Sequence, residues 1–565
     1  MRNFFRKNWF FLALFSLLTL LLFSNKSWDS PYHRVIIGDA KAYYAYLPAV
    51  FIYQDATFSF QEKIEKKYYP ADGSLQKNYM NPLENGRKVN KTFPGLAVLY
   101  APFFFLAWLF SAIFGFATDG YSPPFQYAIA LSHIVYFVCA LRLLFGILSR
   151  FELKKSTIYI SLLTLTFGTN CWYYLVYDFS VGHIHAFFLV SLIAWLFINW
   201  LETKQTKFIS YALLFLALLA ILRPTSVLIV LFLPLLIYIK NSNLKTEFKS
   251  IFGHIKKFSF ALIGVGLIFL IPLLLWKWQT GNWFVYSYSN ERFYFSKPHL
   301  FEFLFSVKKG WLFWSPVIFL SLIFILIRFK KETQRVVLST VLPILLITYI
   351  FSCWWIWTFG MGFGQRQMIE FLPFILIAFA FLFQSIKRKI SFAFIFIPFI
   401  GLSILQGYQF GNFIHFGGQT TVEDYTSRFF QLNVDGPRVK LGNKYILIKK
   451  TENLIESGLS ETNIYSTNCV LFVSKKTQQI KVSAEVLSLT DNPKFDLVLC
   501  NKNASYFQSF QLPKEHLSSE FSLFEYGIET KGEIEDSLIL YVLNADKKST
   551  GKIRNLKIEL FSKKR

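Results

Sequence analysis

Charge is what this chain has least of. Asp, Glu, Lys and Arg make up 16% of its 565 residues, where a soluble protein carries about 25%. That excludes one large water-soluble core. Cysteine is scarce too. Cys139, Cys171 and Cys353 lie in apolar runs and read as small buried hydrophobes. Cys469 and Cys500 fall in the hydrophilic tail, where an oxidising compartment would let them pair, but no cysteine spacing suits a metal site. There is no P-loop, no Rossmann glycine run, no HExxH and no nucleophile elbow. Those absences argue against a nucleotide-driven enzyme; no cofactor is expected, and the metal requirement stays open.

What is abundant is hydrocarbon-soluble sequence: 54% of the chain is hydrophobic. Apolar runs occur near 8–24, 94–117, 125–148, 157–177, 184–201, 208–222, 224–240, 258–278, 311–328, 335–355, 367–386 and 390–410. Runs of roughly 18 residues or more mark transmembrane helices. The net charge of +25 sits largely in short loops between these runs. That pattern orients helices against an anionic cytoplasmic leaflet and does not point to nucleic acid. The basic start (Arg2, Arg6, Lys7) followed by Trp9 to Phe23 reads as an uncleaved anchor. Ser24-Asn25-Lys26-Ser27-Trp28 makes a poor cleavage site.

Basic residues cluster at Arg150, Lys154 and Lys155; Lys204 and Lys207; Lys240 to Lys257; Arg328 to Arg335; and Lys387 to Lys389. All of these fall inside with the N-terminus if 94–117 does not cross, since Pro94-Gly95 and Pro102 would let it lie along or dip into the surface. The expected fold is therefore a polytopic α-helical membrane protein of the cytoplasmic membrane. It has about eleven spans plus an interfacial or re-entrant 94–117, and a C-terminal extracytoplasmic β-sandwich. The expected domains are a membrane domain at 1–410 with its first outer loop at 25–93, a linker at 411–439, and the β domain at 440–565. Turn pairs Asp72-Gly73 and Asn85-Gly86 punctuate the first outer loop. In the tail, short alternating runs at 445–448, 470–473, 480–486, 495–499, 537–542 and 556–561 have strand spacing.

Four constellations carry chemistry. Asp39 stands in Gly38-Asp39-Ala40-Lys41-Ala42-Tyr43-Tyr44, just beyond the first span. A carboxylate among aromatics at a membrane surface suits a general base, with Lys41, Tyr43 and Tyr44 at hand for headgroup oxygens; an Asp before an Ala-rich turn is equally a helix cap. Arg223, in Leu222-Arg223-Pro224-Thr225, is costly between apolar runs unless paired, and its fork suits phosphate; the other reading is an arginine snorkelling to the interface. Gln365 and Arg366 follow three glycines (Gly360, Gly362, Gly364), with Glu370 next on the same helix. Either Arg366 takes phosphate or it closes an i,i+4 pair with Glu370. The outer loop 279–310 brings Glu291 and Arg292 together with Trp283, Tyr286 and Tyr288, a sugar-binding set or an interfacial aromatic belt. Asp178 and His183 remain candidates for proton transfer.

With these residues in view, about residues 1–410 resemble the GT-C superfamily of polytopic glycosyltransferases. The similarity is greatest to the branch of protein O-mannosyltransferases and lipid A aminoarabinose transferases. Gly38-Asp39 matches the catalytic Asp of their first outer loop, and Phe93-Pro94-Gly95 matches a proline-bearing interfacial segment. Leu222-Arg223-Pro224-Thr225, Lys309-Gly310-Trp311-Leu312-Phe313-Trp314-Ser315-Pro316 and Gly364-Gln365-Arg366 look like recurring segments of bacterial members. The chain departs where Ala40 follows Asp39, since the O-mannosyltransferases have an Asp–Glu pair; no second acid is clearly assigned, though Glu291 could serve. The tail from 440 resembles carbohydrate-binding β-sandwiches. The resemblance implies a polyprenyl-phosphate-sugar donor and an extracytoplasmic acceptor (glycan, lipid or protein). Asp39 would be the base, with Arg223 and Arg366, helped by Lys41, on the lipid phosphate. A transporter or flippase is the other class still open. It would show internal repeats and mid-membrane charges, whereas no repeat stands out here.

Overall fold

The computed structural model describes residues 2–25, 35–69, 78–240, 242–254, 258–327, 334–385, 389–412, 414–415 and 420–432. In the tail it describes 445–453, 456–460, 463–466, 468–473, 479–490, 493–501, 507–512, 521–529, 536–545 and 548–563. Asp72-Gly73, Lys26 to Trp28, Lys256, Lys257, Arg328, Lys330, Lys331, Lys387, Arg388 and residues 433–439 of the expected linker lie outside these. The chain forms two compact units, one mainly Val35–Gly411 and the other mainly Val422–Arg565.

The first unit is helical and belongs to a multi-pass membrane protein. Among the described residues six helices are long and apolar enough to cross a membrane: Asn8–Asn25, Gly95–Phe114, Pro123–Phe151, His183–Thr203, Phe260–Thr280 and Phe394–Gly411. Thr206–Leu222, Pro316–Ile327 and Val337–Ser352 are shorter apolar helices. His183–Thr203 is the central helix, 83% buried, whereas Phe260–Thr280 is only 11% buried despite a hydropathy of 2.3. Such a bare apolar helix would aggregate in water and is at home against lipid.

Two breaks in this helical framework matter for the site. Pro224 cannot donate a backbone bond and forces the preceding residue out of the helical region. Arg223 is accordingly extended (φ −151°, ψ 103°) between Thr206–Leu222 and a 3₁₀ stretch, Pro224–Phe232. A second 3₁₀ stretch, Arg366–Phe371, leads into helix Leu372–Ser385.

Between the first two long helices stand helices Asp39–Pro48 and Phe60–Tyr68 and a hairpin. Its strands, β1 (Met80–Pro82) and β2 (Lys88–Asn90), pair antiparallel with Met80 opposite Asn90. Gly86 supplies the positive φ (+76°) of the turn. Asn90 Nδ2 donates to the Ala42 carbonyl at 2.9 Å, docking the hairpin on the Asp39–Pro48 helix.

The second unit has nine described strands: β3 (Tyr445–Asn453), β4 (Ser457–Leu459), β5 (Cys469–Val473), β6 (Gln479–Ser488), β7 (Phe495–Asn501), β8 (Phe507–Gln511), β9 (Ser522–Glu529), β10 (Asp536–Asn544) and β11 (Gly551–Lys563). They form two antiparallel sheets, ordered β5-β10-β7-β8 and β3-β11-β6-β9 with β4 on β11. Leu497 and Leu540 from the first sheet and Val482 and Ile558 from the second share one buried apolar cluster. The alternation seen in the sequence is the physical basis of that shared core.

Candidate active site

Gly38 adopts φ +52°, which admits only glycine without strain, and starts the helix that carries Asp39. Asp39 does not cap this helix: Gly38 holds the cap position and no side chain bonds there. The carboxylate turns outward instead. Its Oδ2 accepts from Arg366 Nη2 at 2.7 Å and its Oδ1 from the Tyr79 hydroxyl at 2.9 Å. The hairpin delivers Tyr79 and Lys91 together, since Lys91 N donates to Tyr79 O at 2.7 Å. Burial raises the pKa of Asp39, but Arg366, Tyr79 and Lys91 together outweigh it and hold the carboxyl below its ordinary 3.8.

Arg366 therefore pairs with Asp39 across 327 residues of sequence, and not with Glu370. A 3₁₀ stretch turns about 120° per residue, so positions four apart point to different faces. Glu370 faces the other way and is fully buried. It forms an ion pair with Arg223 Nε at 2.6 Å, hydrogen-bonds His183 Nδ1 at 2.8 Å, and accepts from the Ser226 hydroxyl. One short helical turn thus binds both arginines to acids. Arg223 and Arg366 keep 18% and 17% of their side chains exposed and Asp39 keeps 31%, so all three remain reachable.

Tyr43 lies one helical turn after Asp39. Burial pushes its phenol up; Arg223 and Arg366 draw it down, while Asp39 and Glu370 push it further up. Its hydroxyl is thereby within electrostatic reach of all four. Asp178 accepts from Ser180 N at 2.8 Å, and a Cβ on Gly38 would lie 3.5 Å from Ser180 Cβ, so this second acid borders the same place.

The other candidates are placed elsewhere. Lys41 is buried in an ion pair with Glu65 at 3.1 Å, beneath the Tyr69 ring. Tyr44 is buried and donates to the Gly120 carbonyl. Glu291 pairs with Lys91 at the edge of the site. Arg292 is exposed, with its guanidinium 5.1 Å from the Tyr294 ring centre. Gln365 is buried and donates to the Trp357 carbonyl at 3.3 Å, bracing the glycine loop. Tyr79, Lys91 and Ser226 were not anticipated as site residues, and Lys309 was noted only within a recurring segment. Among the described residues no three His, Cys, Asp or Glu side chains gather where a metal ion would sit.

No family model matches the chain, and no curated protein matches it. It aligns with the single-particle cryo-EM structure of arabinosyltransferase EmbB from Mycobacterium smegmatis at 8% identity and a TM-score of 0.36, covering 97% of this chain and 64% of that one. The chain thus spans less than two thirds of that protein's length, and a superposition this loose assigns no role to any residue here.

Proposed function

We propose that this protein is an inverting membrane glycosyltransferase that moves a sugar from a polyprenyl-phosphate carrier to an extracytoplasmic acceptor. The observation that carries the reading is the Asp39–Arg366 pair at 2.7 Å. A carboxylate beside a guanidinium suits an inverting transfer, which needs a proton acceptor and a phosphate-binding fork together. Asp39 takes the proton of the acceptor hydroxyl or amine as that atom bonds to the anomeric carbon. The bond from the anomeric carbon to the phosphate oxygen breaks, and its electron pair leaves with the lipid phosphate. Arg366 and Arg223 stabilise the charge that gathers there.

In the resting protein Asp39 and the donor phosphate compete for the same guanidinium. A phosphate that takes Arg366 releases the carboxylate, whose buried setting then raises its proton affinity. The base is thus strongest when donor is present. This topology has the N-terminus and basic loops in the cytoplasm, the first outer loop and tail outside.

The test is release of polyprenyl phosphate from a panel of polyprenyl-phosphate sugars, in detergent, by wild type and Asp39→Asn. Turnover should fall by about 10²- to 10⁴-fold in Asp39→Asn, with donor binding kept or strengthened because Asp39 no longer competes for Arg366. Turnover that survives in a folded Asp39→Asn moves the base to Asp178 or Glu291. Absence of donor binding in wild type across the panel overturns the class.

A further inference from the structure

Among the described residues, the cations around Asp39 are matched to acids with one exception. Arg366 has Asp39, Arg223 has Glu370, Lys91 has Glu291 and Lys41 has Glu65. Lys309 is wholly buried, yet among the described residues no carboxylate lies within ion-pair distance of it. Its ammonium donates to the Gly360 carbonyl at 3.3 Å. A buried ammonium is costly unless closely paired and fully bonded, and one long bond to a carbonyl does not offset that.

Its position is specific. A Cβ built on Gly360 would lie 3.9 Å from Arg366 Nη2, the atom that holds Asp39. Lys309 and Arg366 thus flank the same glycine. Burial acts most on the Lys309 ammonium and drives it well below its ordinary range. Arg366 adds to this, and Asp178 and Asp39 oppose it through space. The charge balance points the same way. Asp39, Asp178 and Glu370 set three negative charges against two arginines, a surplus that would repel a phosphate. Lys309, protonated beside an incoming phosphate, removes the surplus.

We propose that Lys309 is a donor-recognition residue whose ammonium leaves the Gly360 carbonyl and bonds a non-bridging oxygen of the lipid phosphate beside Arg366. The role rests on the lipid-phosphate reading of this site and adds to it the residue that distinguishes a phosphate from an uncharged lipid head. Gly360 (φ +82°) and Gly364 (φ +54°) give the covering segment backbone freedom to swing that carbonyl away.

The experiment uses the full chain in detergent and two probes of equal chain length, polyprenyl phosphate and polyprenol. Lys309→Met replaces a buried charge with an apolar side chain of similar length, a change that tends to preserve folding. Wild type should prefer the phosphate. Lys309→Met should weaken polyprenyl phosphate binding about tenfold to a hundredfold and leave polyprenol binding within about twofold. Lys309→Arg should restore most of the preference. A folded Lys309→Met that keeps the wild-type preference overturns the role and leaves Lys309 a prop for the glycine segment. A wild type with no preference for phosphate overturns the lipid-phosphate reading itself.

Discussion

At the residue scale, Asp39 and Arg366 set each other's ionisation. The Asp39 carboxyl lies below 3.8 in the folded chain because Arg366, Tyr79 and Lys91 outweigh burial. A depressed carboxyl contributes stability that is present above its unfolded value and lost as pH falls through the folded one. Arg366→Gln removes the largest of the lowering influences and leaves burial less opposed, so the acid limb of donor turnover should move to higher pH. A profile of kcat/KM from about pH 4 to pH 7 checks this, and an unmoved limb means Arg366 does not tune the base. Asp39, Arg223 and Arg366 were visible in the sequence because charge in an apolar setting stands out. Lys41 and Tyr44 were chosen for their nearness along the chain, and helix geometry separates them from Asp39. At 3.6 residues per turn, Tyr43 shares the Asp39 face, while Lys41 and Tyr44 point roughly 200° and 140° away. The pairing of Glu370 with Arg223 was not visible, because it spans 147 residues and depends on a 3₁₀ turn that periodicity does not reveal.

At the element scale, the question is how Gly95–Phe114 meets the membrane. Its length and apolarity were plain in the sequence and are enough to cross. What holds its ends was not visible. The Thr92 carbonyl before it accepts from Tyr46 at 2.7 Å. Asp119 beyond it binds Lys67 at 2.8 Å and Tyr68 at 2.6 Å, and its carbonyl accepts from Tyr53 at 3.0 Å. Phe104 in the middle packs edge-on to Tyr44. A helix of this length holds its ends about 30 Å apart in any orientation, and a crossing would put them on opposite faces of the hydrocarbon. Both ends are held by the single segment 46–68, whose Glu65 is tied back to Lys41 on the Asp39–Pro48 helix. Gly95 is required for a different reason: a Cβ there would come within 2.3 Å of the Leu222 backbone nitrogen, next to Arg223. The helix should therefore lie along the outer surface. With the native cysteines replaced, single cysteines at Asn85 and Phe116 should react with an impermeant maleimide from the same side. Labelling of Phe116→Cys only from the opposite side would show that the helix crosses.

At the scale of the whole molecule, the chemistry and the tail separate. Every residue of the candidate site lies between Asp39 and Lys309 or in 360–370, all within the first compact unit. Six of the nine described tail strands stood out as alternating apolar runs, whereas β4, β8 and β9 did not. β4 has three residues, and β9 carries Gly527 and two glutamates in eight positions, which blur the period. The Cys469–Cys500 disulfide considered for the tail is not formed. The register explains this. Cys469 sits opposite Leu540 and Cys500 opposite Ile539, so strand β10 runs between them. Two inter-strand spacings of about 4.8 Å exceed the Cα separation of about 7 Å that a disulfide can span. Reductant should accordingly leave the melting of the intact protein unchanged. A chain ending at residue 432 should bind polyprenyl phosphate within about threefold of the full chain, because no cation or acid of the site is removed. If the tail gathers the acceptor glycan, the same truncation lowers transfer to acceptor while donor binding holds. Loss of donor binding on truncation would mean that the second unit completes the site, and the catalytic unit would then have to be sought in both.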